Sequence, residues 1–259
     1  MCLNLLKKRS NEEILVYDTN PQVLENASKE GANKVLSLKH LETCDLVFTS
    51  LPSCESVTFV YGELLSNAKD SQIFVDTSTI SPSIALELHE KVSDKKCFML
   101  DAPVSGGVKG SQDGTLTFMV GGLDSTIDRV TPYFQRMGKH VFHCGAGSSG
   151  SVVKLCNNLA LASQMIGIVE AMSLGDALGV NPKILSDVIN QSTGGCWSAK
   201  VDNPHPAVGE ISKARYKGGF ASKLMLKDLG LACDAAEKVD VPLLQGKNAM
   251  ELYRLAAIR

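Results

Sequence analysis

The sequence lacks three features that would each indicate a particular class of protein. Basic residues are not in excess, because 26 lysines and arginines stand against 28 aspartates and glutamates, and this argues against a nucleic-acid binder. No uninterrupted apolar run reaches the ~18 residues that a membrane-spanning helix needs. The eight cysteines form no C-x-x-C pair and the five histidines have no metal-ligand spacing, so we expect neither a disulfide framework nor a metal site.

Short apolar segments alternate with amphipathic helices in the first half of the chain. Such unbroken strands predict a parallel sheet buried on both faces, the doubly wound α/β arrangement. After the glycine-rich segment 145–150 no strand pattern appears, and residues 151–179 predict one long helix that is apolar almost all round and therefore buried. The expected fold class is therefore α/β, with an N-terminally incomplete Rossmann-type domain in residues 1–149 and an all-helical domain in residues 150–259. The predicted strands cover residues 14–17, 45–51, 73–75, 97–100, 116–120 and 140–144.

Two segments at predicted strand ends could bind a ligand. Asp18 ends the first strand, where a carboxylate can accept hydrogen bonds from the ribose of a dinucleotide and repel the extra phosphate of NADP. It could equally form a turn before Asn20 and Pro21. Ser105, Gly106 and Gly107 offer successive backbone N–H groups that suit a carboxylate, although a plain glycine-rich turn explains them too.

Lys154 is the residue that most suggests catalysis. It stands about one turn into the long apolar helix, where a charge is costly, and Asn158 follows at i+4 on the same face. A desolvated lysine can exchange a proton near neutral pH, whereas the alternative is a lysine that extends to solvent. Lys227 and Asp228 are adjacent on a later amphipathic helix, and we interpret them as a solvated pair.

Several segments together resemble the β-hydroxyacid dehydrogenase family, in the order in which that family has them. The resemblance extends over nearly the whole chain and is closest to members that oxidise 3-hydroxyisobutyrate in valine breakdown. It implies NAD as cofactor, a small hydroxy acid as substrate, a homodimer or homotetramer, and the mitochondrial matrix, with the cytosol open because no transit segment precedes Met1. The segments are DAPVSGGVKG, TLTFMVGG, KLCNN and FASKLMLKDLGLA, with VDTSTISP and STGGCWSAKVDNPHP beside them.

The resemblance also implies roles for individual residues. Lys154 matches the catalytic lysine and Asn158 the asparagine beside it, while Ser105, Gly106 and Gly107 match the groups that bind the substrate carboxylate. Ser56 stands where the family usually has an asparagine near the cofactor, and Gly195 where an arginine precedes the Cys-Trp pair. The implied NAD-binding residues are Asp18, Leu51, Pro52, Ser56, Thr79 and Lys227.

One departure from the family concerns the start of the chain. Family members open with a strand and a G-x-G-x-x-G turn that holds the pyrophosphate, and neither precedes the first predicted helix here, so we expect weakened NAD binding. Two alternatives stay open: a reductase of glyoxylate or a related semialdehyde, and, because of the missing turn, an inactive chain that binds intact subunits. Oxidation of phosphogluconate is disfavoured because no arginine and lysine cluster suits a phosphate.

Overall fold

The chain divides into two units, Met1–Lys154 and Leu155–Arg259. A computed structural model describes residues 1–8, 12–210, 216 and 219–258. The predicted domain boundary, between residues 149 and 150, lies five residues before the observed division. The roles that we predicted for the two domains remain predictions.

The first unit contains all the strands of the described residues. The strands are β1 (Leu15–Val16), β2 (Asn33–Lys34), β3 (Leu46–Thr49), β4 (Ile73–Asp76), β5 (Phe98–Asp101), β6 (Val104–Ser105), β7 (Leu116–Gly121) and β8 (Gly138–Gly145). The helices that begin in this unit are α1 (Cys2–Lys7), α2 (Pro21–Lys29), α3 (Cys54–Leu64), α4 (Pro82–Asp94), α5 (Gly107–Asp113), α6 (Asp124–Met137) and α7 (Ser149–Ala177), with 3₁₀ turns at Leu38–Thr43 and Leu65–Asn67.

Six of these strands form one sheet, in the order β3-β4-β5-β7-β6 with β8 beside β7. Strands β3, β4 and β5 are parallel to one another, as the sequence predicts. Strand β7 is antiparallel to β5 and β6, so the sheet is mixed and the prediction of a wholly parallel sheet is wrong at this edge. The chain passes from β5 to β7 through β6, which itself pairs antiparallel with β7, and the seven-residue helix α5.

Strands β1 and β2 form a separate parallel pair. The pair is short, joining Leu15 to Asn33 and Val16 to Lys34. Strand β2 was not predicted, because both of its residues are exposed and carry no apolar pattern. The predicted first strand is therefore real but does not join the larger sheet.

Both faces of the six-stranded sheet are covered. Consecutive residues of β4 alternate between two clusters of buried side chains: Phe74 packs with Val57 and Tyr61 of α3, whereas Val75 packs with residues of α6 such as Phe134. All three of these partners and both strand residues are buried. A sheet covered on both sides by helices confirms the predicted α/β fold class.

All the regular secondary structure in the described part of the second unit is helical. Helix α7 continues into it and is followed by α8 (Pro182–Gln191), α9 (Trp197–Lys200), α10 (Ser222–Glu237) and α11 (Leu244–Ile258). Ala162, Met225, Leu229 and Ala249 form a buried cluster that joins α7, α10 and α11. The expected run of helices is thus present.

Helix α7 is not buried all round, which corrects the prediction from its composition. Ala162, Ile168 and Met172 lie on its buried face, whereas Val169 and Leu174 are exposed. By length and composition alone this helix, of those described, could cross a membrane. The core helix of a soluble protein passes the same criterion, so the observation is weak evidence for a membrane protein.

Candidate active site

The carboxyl ends of three parallel strands meet at one edge of the large sheet. Thr49 at the end of β3 pairs in register with Asp76 of β4, which pairs with Asp101 of β5. Just beyond these ends, the backbone N–H of Leu51 donates to Ser78 Oγ at 2.8 Å. The structure therefore brings the two loops that contain Leu51, Pro52 and Thr79 to the same edge, where open α/β sheets bind ligands.

Asp76 is a buried carboxyl group at this edge. Its Oδ1 accepts hydrogen bonds from Thr49 Oγ1 at 2.8 Å, from Ser78 Oγ at 2.6 Å and from the Ser78 N–H at 3.2 Å. Its Oδ2 is buried and has no hydrogen-bond partner. Burial raises the pKa of Asp76 above the usual aspartate value, although the hydroxyl donors act in the opposite direction.

Two of the predicted cofactor residues take part in local capping. Asp18 Oδ1 accepts from the Asn20 N–H at 2.8 Å, so the turn considered from the sequence is present. The Ser56 N–H donates to Ser53 Oγ at 3.2 Å in the first turn of α3. These contacts leave the predicted cofactor roles of Asp18 and Ser56 untested.

The segment Ser105–Gly107 forms a tight, partly exposed turn at the end of β6. Gly106 and Gly107 have φ values of +130° and +61°, a region that favours glycine. A Cβ on Gly106 would also lie 3.1 Å from Leu116 Cδ2. Both glycines are exposed and Ser105 is half-buried, so their backbone stands at the surface of the first unit.

Lys154 is buried, at 6% exposure, in the second turn of α7. Buried lysines are rare and costly, since the charged amine loses its hydration. The alternative of a lysine that extends into solvent is therefore wrong for this side chain. Helix α7 is continuous, which places position 158 one turn after position 154.

In the second unit, the carboxylate of Asp228 contacts the side chains of Asn158 and Lys227. Asn158 Nδ2 donates to Asp228 Oδ2 at 2.6 Å, and Lys227 Nζ lies 3.3 Å from Asp228 Oδ1. Asp228 is buried at 2% exposure, so our interpretation of Lys227 and Asp228 as a solvated pair is wrong for the carboxylate. Burial of Asp228 was the missing information, because adjacent charges on an amphipathic helix give no sign of it in sequence.

A second polar cluster was not predicted from the sequence. Gly145, Gly147 and Gly150 have the G-x-G-x-x-G spacing between a strand and a helix, the context in which this motif binds phosphates. Here the N–H groups of Ser148 and Ser151 donate to the carboxylate of Asp101, each at 2.8 Å. The first turn of α7 is thus occupied by a side chain of the protein itself.

Two family models together cover the chain. One, described as the NAD binding domain of 6-phosphogluconate dehydrogenase, matches residues 1–145. The other, described as NAD-binding of NADP-dependent 3-hydroxyisobutyrate dehydrogenase, matches residues 148–259. The mitochondrial 3-hydroxyisobutyrate dehydrogenase of Mus musculus is 39% identical over 261 residues, which cover 98% of this chain and 77% of the mouse protein.

The chain belongs to the β-hydroxyacid dehydrogenase family. A bacterial member, the NAD-dependent L-serine dehydrogenase of Pseudomonas aeruginosa, is 39% identical over 98% of this chain and 87% of its own length. Among solved structures, 3-hydroxyisobutyrate dehydrogenase of Mycobacterium tuberculosis with L-serine matches at a TM-score of 0.90 and 37% identity, covering 99% of this chain and 89% of that one. The family resemblance found in the sequence is confirmed, and with it an NAD-dependent enzyme class.

The described residues fit part of an NAD site. A carboxylate at Asp18 suits ribose hydroxyls, and the loops at Leu51, Pro52 and Thr79 supply apolar and hydroxyl groups at the ligand-binding edge of the sheet. Of the described residues, the only G-x-G-x-x-G turn is that at 145–150, and the Asp101 carboxylate occupies its N–H groups. These residue types therefore suit the two nucleosides of NAD. None of these groups, the turn at 145–150 included, is available to bind the pyrophosphate.

Proposed function

We propose that this chain oxidises 3-hydroxyisobutyrate with NAD to methylmalonate semialdehyde, a step of valine catabolism. The observation that carries the proposal is the burial of Lys154 at the position where the family resemblance puts the catalytic lysine. A lysine amine in its neutral form can accept a proton from an alcohol.

In the proposed reaction the carbinol group of the substrate loses a proton from its oxygen and a hydride from its carbon. Lys154 Nζ takes the hydroxyl proton as the C–O bond becomes a carbonyl. Bound NAD would supply the acceptor for the hydrogen of the carbinol carbon and its electron pair. In the reverse direction the protonated lysine returns the proton to the carbonyl oxygen, so one residue serves both directions.

Asn158 has a positioning or binding task in this proposal. Its amide is fixed by the 2.6 Å hydrogen bond to the buried Asp228 carboxylate, and an ionised acceptor makes such a bond strong. A fixed amide one turn from Lys154 can orient the substrate oxygen without losing conformational freedom when the substrate binds. Lys227, on the other oxygen of the same carboxylate, is the proposed cofactor contact from α10.

The proposed substrate carboxylate binds the turn Ser105–Gly107. Successive backbone N–H groups without obstructing side chains form a concave site for an anion. The positive φ values of Gly106 and Gly107 support this role, because residues with a Cβ rarely adopt them. Asp18, Leu51, Pro52, Ser56 and Thr79 are the proposed NAD contacts of the first unit.

A substrate panel tests the proposal. Initial rates of NADH formation would be compared for 3-hydroxyisobutyrate, L-serine and glycerate, and rates of NADH oxidation for glyoxylate. We expect the highest kcat/KM with 3-hydroxyisobutyrate. A higher value with L-serine, the substrate that the Pseudomonas relative's name states, would contradict the substrate, and no turnover at millimolar NAD would favour the inactive chain.

The proposed assembly is a homo-oligomer in the mitochondrial matrix. Leu174 and Leu178, four residues apart at the end of α7 and just after it, are exposed apolar side chains on one face, and such a surface supports an interface between subunits. The mouse relative is named mitochondrial whereas the Pseudomonas relative is bacterial. Imaging of a tagged protein in its native cells tests the compartment, and a cytosolic signal would contradict it.

A further inference from the structure

We infer that Asp101 is a positioning residue that fixes Lys154 by clamping the first turn of α7. The inference rests on the proposed role of Lys154 and concerns a residue that touches neither substrate nor cofactor in the proposed mechanism. Asp101 and Lys154 both belong to the first unit.

Both oxygens of Asp101 bind the backbone at the start of α7. Oδ1 accepts from the Ser148 N–H and Oδ2 from the Ser151 N–H, each at 2.8 Å. A carboxylate at this place satisfies two of the N–H groups that a helix N-terminus leaves without internal partners, and its charge suits the positive end of the helix dipole. Capping side chains usually come from the residue just before the helix, whereas this one comes from β5, 47 residues before Ser148.

The carboxylate is itself held from a third direction. His89 of α4 places Nε2 2.9 Å from Asp101 Oδ1, and its side chain is 15% exposed while that of Asp101 is 2% exposed. The cluster therefore joins α4, the end of β5 and the start of α7. A buried carboxylate with three donors has little freedom to move.

Three glycines enclose the cluster so closely that a Cβ on any of them would force a neighbouring group to shift. A Cβ on Gly147 would lie 2.7 Å from the His89 ring, and one on Gly121 would meet Asp101 Oδ1 itself. A Cβ on Gly150 would meet the backbone oxygen of Met119 and lie 2.6 Å from that of Asp101. The start of α7 therefore lies directly against β5 and β7, and the G-x-G-x-x-G spacing serves this contact.

The consequence for Lys154 follows from helix geometry. Lys154 stands three residues after Ser151, so one helical turn separates the clamped N–H from the buried amine. A shift or rotation of this turn moves Nζ relative to the loops at the end of β5. Misplacement of a reacting group by about 1 Å can cost about a hundredfold in rate.

The test is a double-mutant cycle on kcat in the full chain. Asp101→Asn keeps the shape but turns one oxygen into an N–H₂ donor that faces a backbone N–H. We expect kcat to fall about tenfold to a hundredfold, with the KM values for NAD and hydroxy acid within about threefold of wild type. In a Lys154→Ala background, Asp101→Asn should lower kcat by less than about twofold, because coupled residues are not additive.

Two control variants separate positioning from a loss of stability. Asn181→Ala removes the side-chain cap of α8, where Asn181 Oδ1 accepts from the Lys183 N–H at 2.9 Å, and should leave kcat unchanged. His89→Asn withdraws the imidazole from a partly exposed site and keeps the assay available if Asp101→Asn does not fold. We expect it to lower kcat about threefold to tenfold in the wild-type background only.

The outcomes distinguish the inference from the proposed function. If Lys154→Ala loses turnover while Asp101→Asn keeps wild-type kcat, the inference alone is wrong. If Asp101→Asn lowers kcat equally with and without Lys154, the carboxylate does not act through the lysine. Near-normal turnover in Lys154→Ala would instead remove the proposed function. Amide hydrogen exchange at Ser148 and Ser151 gives a readout without turnover: faster exchange in Asp101→Asn supports the clamp, and unchanged exchange contradicts it.

Discussion

Two buried carboxyl groups at neighbouring strand ends have opposite surroundings. Asp101 receives donors on both oxygens, whereas Asp76 receives three on Oδ1 and none on Oδ2. Burial is the largest influence on Asp76 and raises its pKa, and the nearby Asp101 acts in the same direction. The contribution of Asp76 to stability should therefore depend on the pH.

For Asp76 the sign of the effect follows from the raised pKa. Between the unfolded and folded pKa values the folded state retains a proton that the unfolded state releases, so stability falls as the pH rises through this window. Asp76→Asn cannot ionise. We expect its free energy of unfolding, relative to wild type, to increase from about pH 4 upward and then to level off.

Urea unfolding of both proteins at several pH values measures this difference. Asp128→Asn, at an exposed position of α6, is the matched control for removal of one carboxylate. A relative stability of Asp76→Asn that decreases as the pH rises would contradict the account of Asp76.

Asp18 carries the prediction on cofactor choice. If its carboxylate faces the adenosine ribose, it repels the 2′-phosphate of NADP. We expect wild type to prefer NAD, and Asp18→Ser to shift the ratio of the two kcat/KM values toward NADP by about tenfold, which corresponds to about 1.4 kcal/mol. As a control, Asp45→Ser replaces an exposed carboxylate just before β3, at the end of that strand opposite to Leu51. It should leave the ratio unchanged. An NADP preference in wild type would contradict the proposed contact with ribose and leave Asp18 only its hydrogen bond in the turn.

At the scale of elements, two glycines of α7 offer a direct comparison. Gly150 lies against the backbone of β5 and β7, whereas a Cβ on Gly167 would meet nothing within 4 Å. We expect Gly150→Ala to lower the free energy of unfolding by about 1–3 kcal/mol or more through overpacking. Gly167→Ala should raise it by about 0.5–1 kcal/mol, because alanine favours a helix.

Chemical denaturation of the two alanine variants measures both effects. Equal stabilities would show that the start of α7 does not lie against the sheet as described. A loss for Gly167→Ala alone would indicate that its surface is covered in solution.

Element identity could be predicted from the sequence where the pattern is apolar and local. Strand β4 lies within one residue of its predicted bounds, since an unbroken apolar run defines it. The antiparallel course of β7 depends on the connection before it, which periodicity does not describe. The same holds for the clamp of Asp101, whose partners lie 47 and 50 residues away.

In the candidate site, too, residues with an unusual local sequence could be predicted, whereas residues defined by a distant partner could not. Lys154 could be identified because a charge inside an apolar helix is unusual in sequence, and its burial is observed. Asp228 could not, because its task depends on Asn158, 70 residues earlier. Long-range polar contacts therefore complete a site whose individual members the sequence indicates only in part.

At the scale of the whole molecule, the exposed apolar surface of α7 predicts self-association. Leu174 is 63% exposed although it belongs to a largely apolar helix. We expect Leu174→Asp to reduce the mass measured by light scattering from that of a dimer or tetramer toward that of one chain, because a desolvated charge opposes the interface. Leu36→Asp, at an 83% exposed position of the first unit, should not change the mass. A monomeric wild type would contradict the proposed assembly.

The central claim is that this family member is an active dehydrogenase in which the buried Lys154 moves the proton. The most direct measurement is the kcat for 3-hydroxyisobutyrate of Lys154→Ala beside that of Lys183→Ala, which removes an exposed lysine of α8, with NAD affinity measured by calorimetry for each. We predict that Lys154→Ala loses about 10²–10⁴-fold in kcat while NAD affinity stays within about threefold of wild type, and that Lys183→Ala retains both. Turnover of Lys154→Ala within about twofold of wild type would contradict the claim.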